Sequence, residues 1–420
     1  KLMQNHPHDS ICCCSVDEVQ DEMATRFNKS KQVADYLVSE GKRYIADKIN
    51  TKEYEKYKNV LPFVVFNTTG RERTSVVSVE IDVTRKSGWL KKCAYDLDEI
   101  NVPNYKLIDS DGNSIPFKIE DLGVKFGYDL PKDKFRQPYM ARRVRVTFEA
   151  ENISAVGYKT YALVEGDTEK VTDTLVSSEN CMENDAIRVE INKSGSLNVT
   201  DKASGRTYKG VAYYEETGDL GNEYMYKMPE GSKAITTQDT VAKIELAEDE
   251  PYRAMYKITN TITVPKSGDD NFEDEKRHME FFKERVGGRS NDTVEMKIET
   301  FVSLDKNGKG VKIKTRFDNE VKDHRVRIMV PTGINSDVHK ADSVFEVVTR
   351  NNRHNAGWNN PSACEHEQGF VSIDDGEKGI AVANIGLYEY EMLPDLDNTI
   401  AVTILRAVGE MGDWGVFPTP

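Results

Sequence analysis

The amino end of the chain gathers the residues best suited to chemistry. His6-Pro7-His8-Asp9-Ser10-Ile11-Cys12-Cys13-Cys14-Ser15 sets an imidazole beside a carboxylate just ahead of a helix start. Such a pair can hold a metal ion or a polar ligand, since imidazole is a good zinc donor. Taken by itself the signal is weak, because most His-Asp dipeptides serve structure. The three adjacent cysteines lack the spaced pattern of zinc sites and cannot easily all face one ion, so two of them read as helical core positions. Asp219 and Glu223 have the look of a catalytic carboxylate pair. The intervening Gly221 indicates a turn, which favours a polar network. His324, near a strand start, reads as a satisfied structural group. Trp89, Trp358 and Trp414 are the three tryptophans. They could line a sugar-binding surface, but tryptophans spread this way are more often core. No glycine-rich phosphate loop and no Ser-His-Asp order stands out.

The chain has 420 residues, room for two or three domains. Its formal net charge is −14, which lacks the basic footprint of a nucleic-acid binder and disfavours anionic membrane surfaces. No apolar run approaches the roughly 18 residues of a membrane span. The six cysteines do not form the spaced framework of a small secreted disulfide protein. Reduced thiols in a cytoplasmic protein fit better. The opening residues resemble neither a signal peptide nor a natural start, so the chain reads as a part of something longer.

Residues 10–58 form the one long helical stretch. Ser15-Val16-Asp17-Glu18 has the capping-box pattern, and Val16, Val19, Met23 and Phe27 follow at helical spacing, predicting one buried face. Val33, Leu37, Tyr44, Ile45 and Ile49 continue it, with Gly41 as a possible break between two helices. From Pro62 the period turns alternating. Asp111-Gly112 marks a hairpin, and Gly195 sits in the turn of IRVEINKSGSLNV. Residues 166–180 read as a polar linker, and Asp269–Asp292 as a charged surface excursion. Strands joined by turns predict a mainly β chain of β-sandwich domains.

The string from Gln4 to Ser15 with Asp17-Glu18-Val19, then Glu22-Met23 and Arg26-Phe27, resembles the helical-bundle motif of glycoside hydrolase family 38 α-mannosidases. Further resemblances run along essentially the whole chain. They include FVVFNT, Tyr128-Asp129-Leu130-Pro131, Phe135 to Tyr139, Gly157 to Tyr161, Met182-Glu183-Asn184 and Gly205 to Tyr208. Gly218-Asp219-Leu220-Gly221-Asn222-Glu223-Tyr224, Asp323 to Arg327, Gly386 to Tyr390, Leu405-Arg406 and Gly412 to Gly415 complete the set. The subgroup it looks most like is the bacterial one that includes mannosylglycerate hydrolases.

The resemblance implies a zinc-dependent, retaining exo-α-mannosidase acting on an α-mannoside or a mannosylglycerate-like substrate. Two carboxylates, nucleophile and acid, would work close together, with zinc as template and Lewis acid. In the family the nucleophile, the acid and three zinc ligands lie in an amino-terminal α/β domain, so no catalytic residue is expected here. His8 corresponds to the fourth zinc ligand and Asp9 to a residue that hydrogen-bonds the sugar. Tyr224 and Arg406 are the substrate-binding candidates from the β region, each with a packing or ion-pair alternative. The implied layout is a helical-bundle remnant over 1–60, a small β-sandwich over 61–168 and a galactose-mutarotase-like supersandwich over 169–420. The missing amino-terminal domain, and a second copy of the protein, are the implied partners. Two positions depart from the family pattern: Cys13 stands where glycine is usual, and Gln20 where histidine is common. The isolated chain is expected to be inactive and to hold zinc poorly. The alternative is a non-catalytic carbohydrate-binding or scaffold protein. The fragment reading predicts an exposed apolar face on the helical part, and the alternative a polar one.

Overall fold

The computed structural model describes residues 1–11, 15–167, 172–354, 357 and 363–409. Cys12, Cys13, Cys14, Trp358, Trp414 and the Gly412–Gly415 motif lie outside them. Two helices open the chain, α1 (His8–Ile11) and α2 (Asp17–Ala46). The break expected at Gly41 is absent, and α2 runs through it. A Cβ there would meet nothing within 4 Å, and an exposed helical glycine costs only about 1 kcal/mol. The capping box does not form either. Val16 is the N-cap without a side-chain bond, and Ser15 Oγ instead accepts from Gln20 Nε2 at 2.8 Å.

The apolar stripe of α2 is where the expectation of burial fails most clearly. Only Met23 is buried, gripped through its carbonyl by Asn5 Nδ2 at 3.0 Å. Val19, Phe27, Val33, Leu37, Tyr44 and Ile45 are exposed. A helix gains most of its stability by packing an apolar face, and over most of its length this one is left uncovered by the described residues.

Residues 61–165 form two antiparallel sheets around a shared core. One has the strand order Leu61–Asn67, Gly157–Glu165, Tyr105–Asp109, Ser114–Ile115. The other runs Arg73–Lys86, Gln137–Ile153, Phe117–Asp129. Leu107, Val146, Phe148, Tyr161 and Leu163 fill the space between them. The hairpin expected at Asp111-Gly112 is present. Gly112 has φ +89°, and Asp109 Oδ1 accepts from the amides of Asp111 and Asn113 at 3.0 and 2.8 Å. Trp89 is not core: it begins helix α3 (Leu90–Asp98) and is 73% exposed.

The remaining chain forms four further antiparallel sheets of five, six, four and four strands. The linker expected over 166–180 is shorter than read. Leu175 is already buried, and Val176–Ser178 is an edge strand. Alternation carries the fold: Ile187–Ile191 buries every second residue and pairs with Leu197–Asp201 across the Gly195 turn. One core joins Met182, Val189, Tyr256, Val302, Val371, Tyr390 and Val402 from all four sheets. The 269–292 segment is not a mere surface excursion. It holds helix α4 (Asp270–Arg277) and buries Phe272, Glu275, Phe282 and Arg285. The two β regions meet where Asn307 Nδ2 donates to Glu149 at 2.9 Å. No helix among the described residues is long and apolar enough to cross a membrane.

Candidate functional site

The six-stranded sheet buries several polar and charged side chains, among them Glu216, Thr217, His324, Arg325 and Arg327. Strand Tyr213–Gly218 pairs with His324–Val330, which pairs with Thr399–Ala407. Their register aligns Thr217, Arg325 and Arg406. Paired residues in an antiparallel ladder project to the same side, so these side chains share a face. The loop Gly218–Tyr224 folds back from the end of the first of these strands.

Every turn of that loop is pinned by a side chain. Asp219, 0% exposed, accepts through Oδ1 from the amides of Gly221 and Lys227 at 2.9 and 3.2 Å. Its Oδ2 accepts from Arg406 Nε and Nη2 at 2.9 and 2.7 Å. Asn222 Oδ1 accepts from the amides of Tyr224 and Met225 at 2.9 Å each. A Cβ on Gly221 would sit 1.7 Å from the carbonyl oxygen of Met225, so only glycine fits. These contacts leave Tyr224 exposed at the tip, at 55%. Asp219 therefore belongs to a polar network, as Gly221 suggested, and is not one of a working carboxylate pair.

Arg406 lies under the same loop. It donates to Asp219, to Asn222 O at 2.7 Å and to Glu223 O at 3.2 Å. Those are four hydrogen bonds of the five that a guanidinium offers. Its ion-pair alternative is thus realised, and little donor capacity is left for a ligand. Arg406 and Tyr224 come together as base and tip of one structure.

Deeper on the face, Arg327 pairs with Glu215 and Glu391. Burial works to lower the Arg327 pKa, but the two carboxylates outweigh it and hold it above the ordinary value. Arg325 stacks on the Tyr226 ring, 3.4 Å from its centroid, a cation–π contact. Burial raises the Tyr226 hydroxyl despite Arg325, and that hydroxyl donates to Thr217 Oγ1 at 2.9 Å. Cys364 is pushed up to about 11, first by burial and then by Glu389, so its thiol stays protonated. His324 is buried between Glu216 and Asn319, at 3.2 and 2.9 Å, the structural role its position suggested.

His8 is exposed on α1. Asp9 shares that helix, and its side chain lies outside the described residues. Among the described residues no group of three or more His, Cys, Asp or Glu is placed to hold a metal ion. Zinc needs four ligands as a rule, so the described residues do not themselves form a complete zinc centre. A cleft of about 640 Å³ opens elsewhere, beside Met296, Glu299, Phe317 and Val321, and none of the candidate residues lines it. Glu299 there is held down to about 2 by Lys257 and Lys297, which makes it a salt-paired surface group.

Sequence reasoning missed Arg285 and Arg289, which reach the loop and its strand from the 269–292 region, and Lys227, which reaches back into that region from just past the loop. The available signal was Asp269 followed three residues later by Phe272, an N-cap ahead of a buried aromatic.

Two family models match the chain: Glycosyl hydrolases family 38 C-terminal domain 1 over residues 58–165, and Glycosyl hydrolases family 38 C-terminal domain over 182–410. A putative mannosylglycerate hydrolase of Halalkalibacterium halodurans is 38% identical across all of this chain and 47% of its own length. The crystal structure of an α-mannosidase from Enterococcus faecalis V583 superposes with a TM-score of 0.94 at 39% identity, over 98% of this chain and 47% of that one. A second solved structure, of a protein in glycosyl hydrolase family 38 from Enterococcus faecalis, gives 0.91 at 39% identity, over 100% of this chain and 49% of that one. The chain thus spans about half the length of these relatives. With matched domains, sequence and fold in agreement, the chain belongs to glycoside hydrolase family 38.

Proposed function

We propose that this chain is the carboxyl-terminal part of a zinc-dependent, retaining exo-α-mannosidase that removes terminal α-mannosyl residues, mannosylglycerate-like compounds among its substrates. The observation that carries the reading is the superposition of nearly the whole chain onto about half of an α-mannosidase. The uncovered apolar stripe of α2 supports a preceding segment that packs there. It also counts against a free-standing binding or scaffold module, which would present a polar helix.

In this account the chain brings no nucleophile and no acid. His8 supplies one zinc ligand, and the remaining ligands come from outside the chain. Zinc, when bound, supplies Lewis-acid and template action on the sugar. Asp9 hydrogen-bonds the sugar, and the Tyr224 phenol donates to a sugar oxygen while its ring packs against the pyranose. Arg406 acts on the site mainly through the loop it holds, with one N–H left for a hydroxyl or a carboxylate aglycone. The boundaries 1–60, 61–168 and 169–420 are supported by the family matches, which fall on either side of residue 168. A cytoplasmic location is supported by free Cys93 and Cys181. A homo-oligomer and a mutarotase-like topology are carried over from the resemblance.

The test is hydrolysis of an aryl α-mannoside by the intact gene product and by this chain alone, with the anomer released followed by NMR. Release of α-mannose by the intact protein and none by this chain agrees with the proposal. Inversion, or activity in this chain alone, would refute it.

A further inference from the structure

Four consecutive carbonyl groups, those of Leu220, Gly221, Asn222 and Glu223, accept from just two arginines. Arg285 Nη1 donates to the first two at 2.9 and 3.2 Å. Arg406 donates to the second two at 2.7 and 3.2 Å. Arg285 is 2% exposed and comes from the segment between the strands Arg253–Pro265 and Thr293–Asp305. The contact runs both ways. Lys227, just past the loop, places Nζ against the carbonyls of Phe282, Lys283 and Arg285 at 2.9, 2.9 and 2.6 Å.

The segment that carries Arg285 is firmly anchored. Asp269 caps α4 by accepting from Phe272 N and also accepts from Gly288 N, at 2.9 Å each. Buried Glu275 accepts from the amides of Val286 and Gly287 at 2.8 and 3.1 Å. Asp323 Oδ2 accepts from Gly268 N at 3.0 Å, and Arg289 pairs with Glu216 at 2.8 Å. A buried carbonyl without a donor is costly, and charged donors form the stronger bonds. A row of four carbonyls therefore takes its direction from the two guanidiniums beneath it.

We propose that Arg285 is a positioning residue for Tyr224: through it the 267–292 segment fixes the main chain that presents Tyr224, and so sets the affinity of the site for the mannosyl group. This rests on the reading of Tyr224 as a sugar contact. Arg285 touches no substrate.

The experiment uses the intact protein. Arg285→Lys keeps the charge but loses the planar fork. Amide exchange across residues 218–226 should accelerate, and KM for an aryl α-mannoside should rise about tenfold with kcat changed less than about twofold, the scale of one or two lost charged hydrogen bonds. In a Tyr224→Phe background the same substitution should change KM less than about twofold, because both act through one group. Lys227→Met, which removes the return contact, should give the same exchange and KM pattern if Arg285→Lys does not fold. Equal KM effects in both backgrounds, or unchanged exchange across the loop, would overturn the positioning role. A wild-type protein that hydrolyses no mannoside would sink the mannosidase reading instead, and accelerated exchange in Arg285→Lys would then still support the loop-holding role alone.

Discussion

Arg406 Nη2 lies 2.7 Å from Asp219 Oδ2, across 187 residues of sequence. The pair joins the last described strand to the loop that carries Tyr224, and Asp219 has no exposure to water. Removing one member leaves the other charge desolvated. Asp219→Asn should therefore cost about 3 kcal/mol in urea unfolding. Gly221→Ala should also destabilise, since its Cβ collides with the Met225 carbonyl. Wild-type stability in Asp219→Asn would show that the pair carries no structural weight.

How much of this could be read beforehand depends on how local the cause is. Hairpins at Asp111-Gly112 and Gly195 were legible because turn chemistry and period-two alternation act over a few residues. Gly41 misled because a helix tolerates an exposed glycine, and Ser15 because Gln20 captured its hydroxyl. The loop tip at Tyr224 was legible as a motif. Its bracing by Arg285 and Arg406 was not, since both contacts depend on strand order and on how the 269–292 segment folds back. The α2 stripe was legible as apolar, and its exposure fits the fragment reading.

The acid limb of stability should contain two opposed contributions. Burial pushes Asp305 upward, but Arg253 and Lys312 more than offset it and hold its carboxyl below the ordinary 3.8. Its stabilisation is present above that value and fades as pH falls through the lower folded pKa. Glu149 is raised above 4.5, chiefly by burial, despite its bonds from Asn307. Its contribution is greatest when protonated and is lost as pH rises through the raised folded pKa. At pH 7 Asp305→Asn should thus lose about 2 kcal/mol, since its partners are partly exposed. Glu149→Gln should be neutral or stabilising there. Urea midpoints from pH 3 to 7 check both signs, and a destabilised Glu149→Gln at pH 7 would be the contrary result.

Helix α2 should behave as a loosely held element when this chain is produced alone. Amides from Lys31 to Ala46 should exchange rapidly, while the central strand Arg253–Pro265 stays protected. The chain should also bind an apolar dye, and its Phe27→Glu/Leu37→Glu double variant less of it, because these exposed side chains form the open stripe. Slow exchange throughout α2 in a monomer would mean that the helix needs no covering partner.

On the proposed function, His8 completes, from this chain, a zinc site whose other ligands lie outside it. The direct measurement is zinc content by mass spectrometry together with α-mannoside hydrolysis in the same preparations of intact wild type, intact His8→Ala and this chain alone. One zinc and activity are expected in the wild type. Both should be lost on His8→Ala, by at least about tenfold in affinity, the scale seen even for outer ligand-supporting groups. The isolated chain should have neither. Full zinc and full activity in His8→Ala would contradict the proposed function.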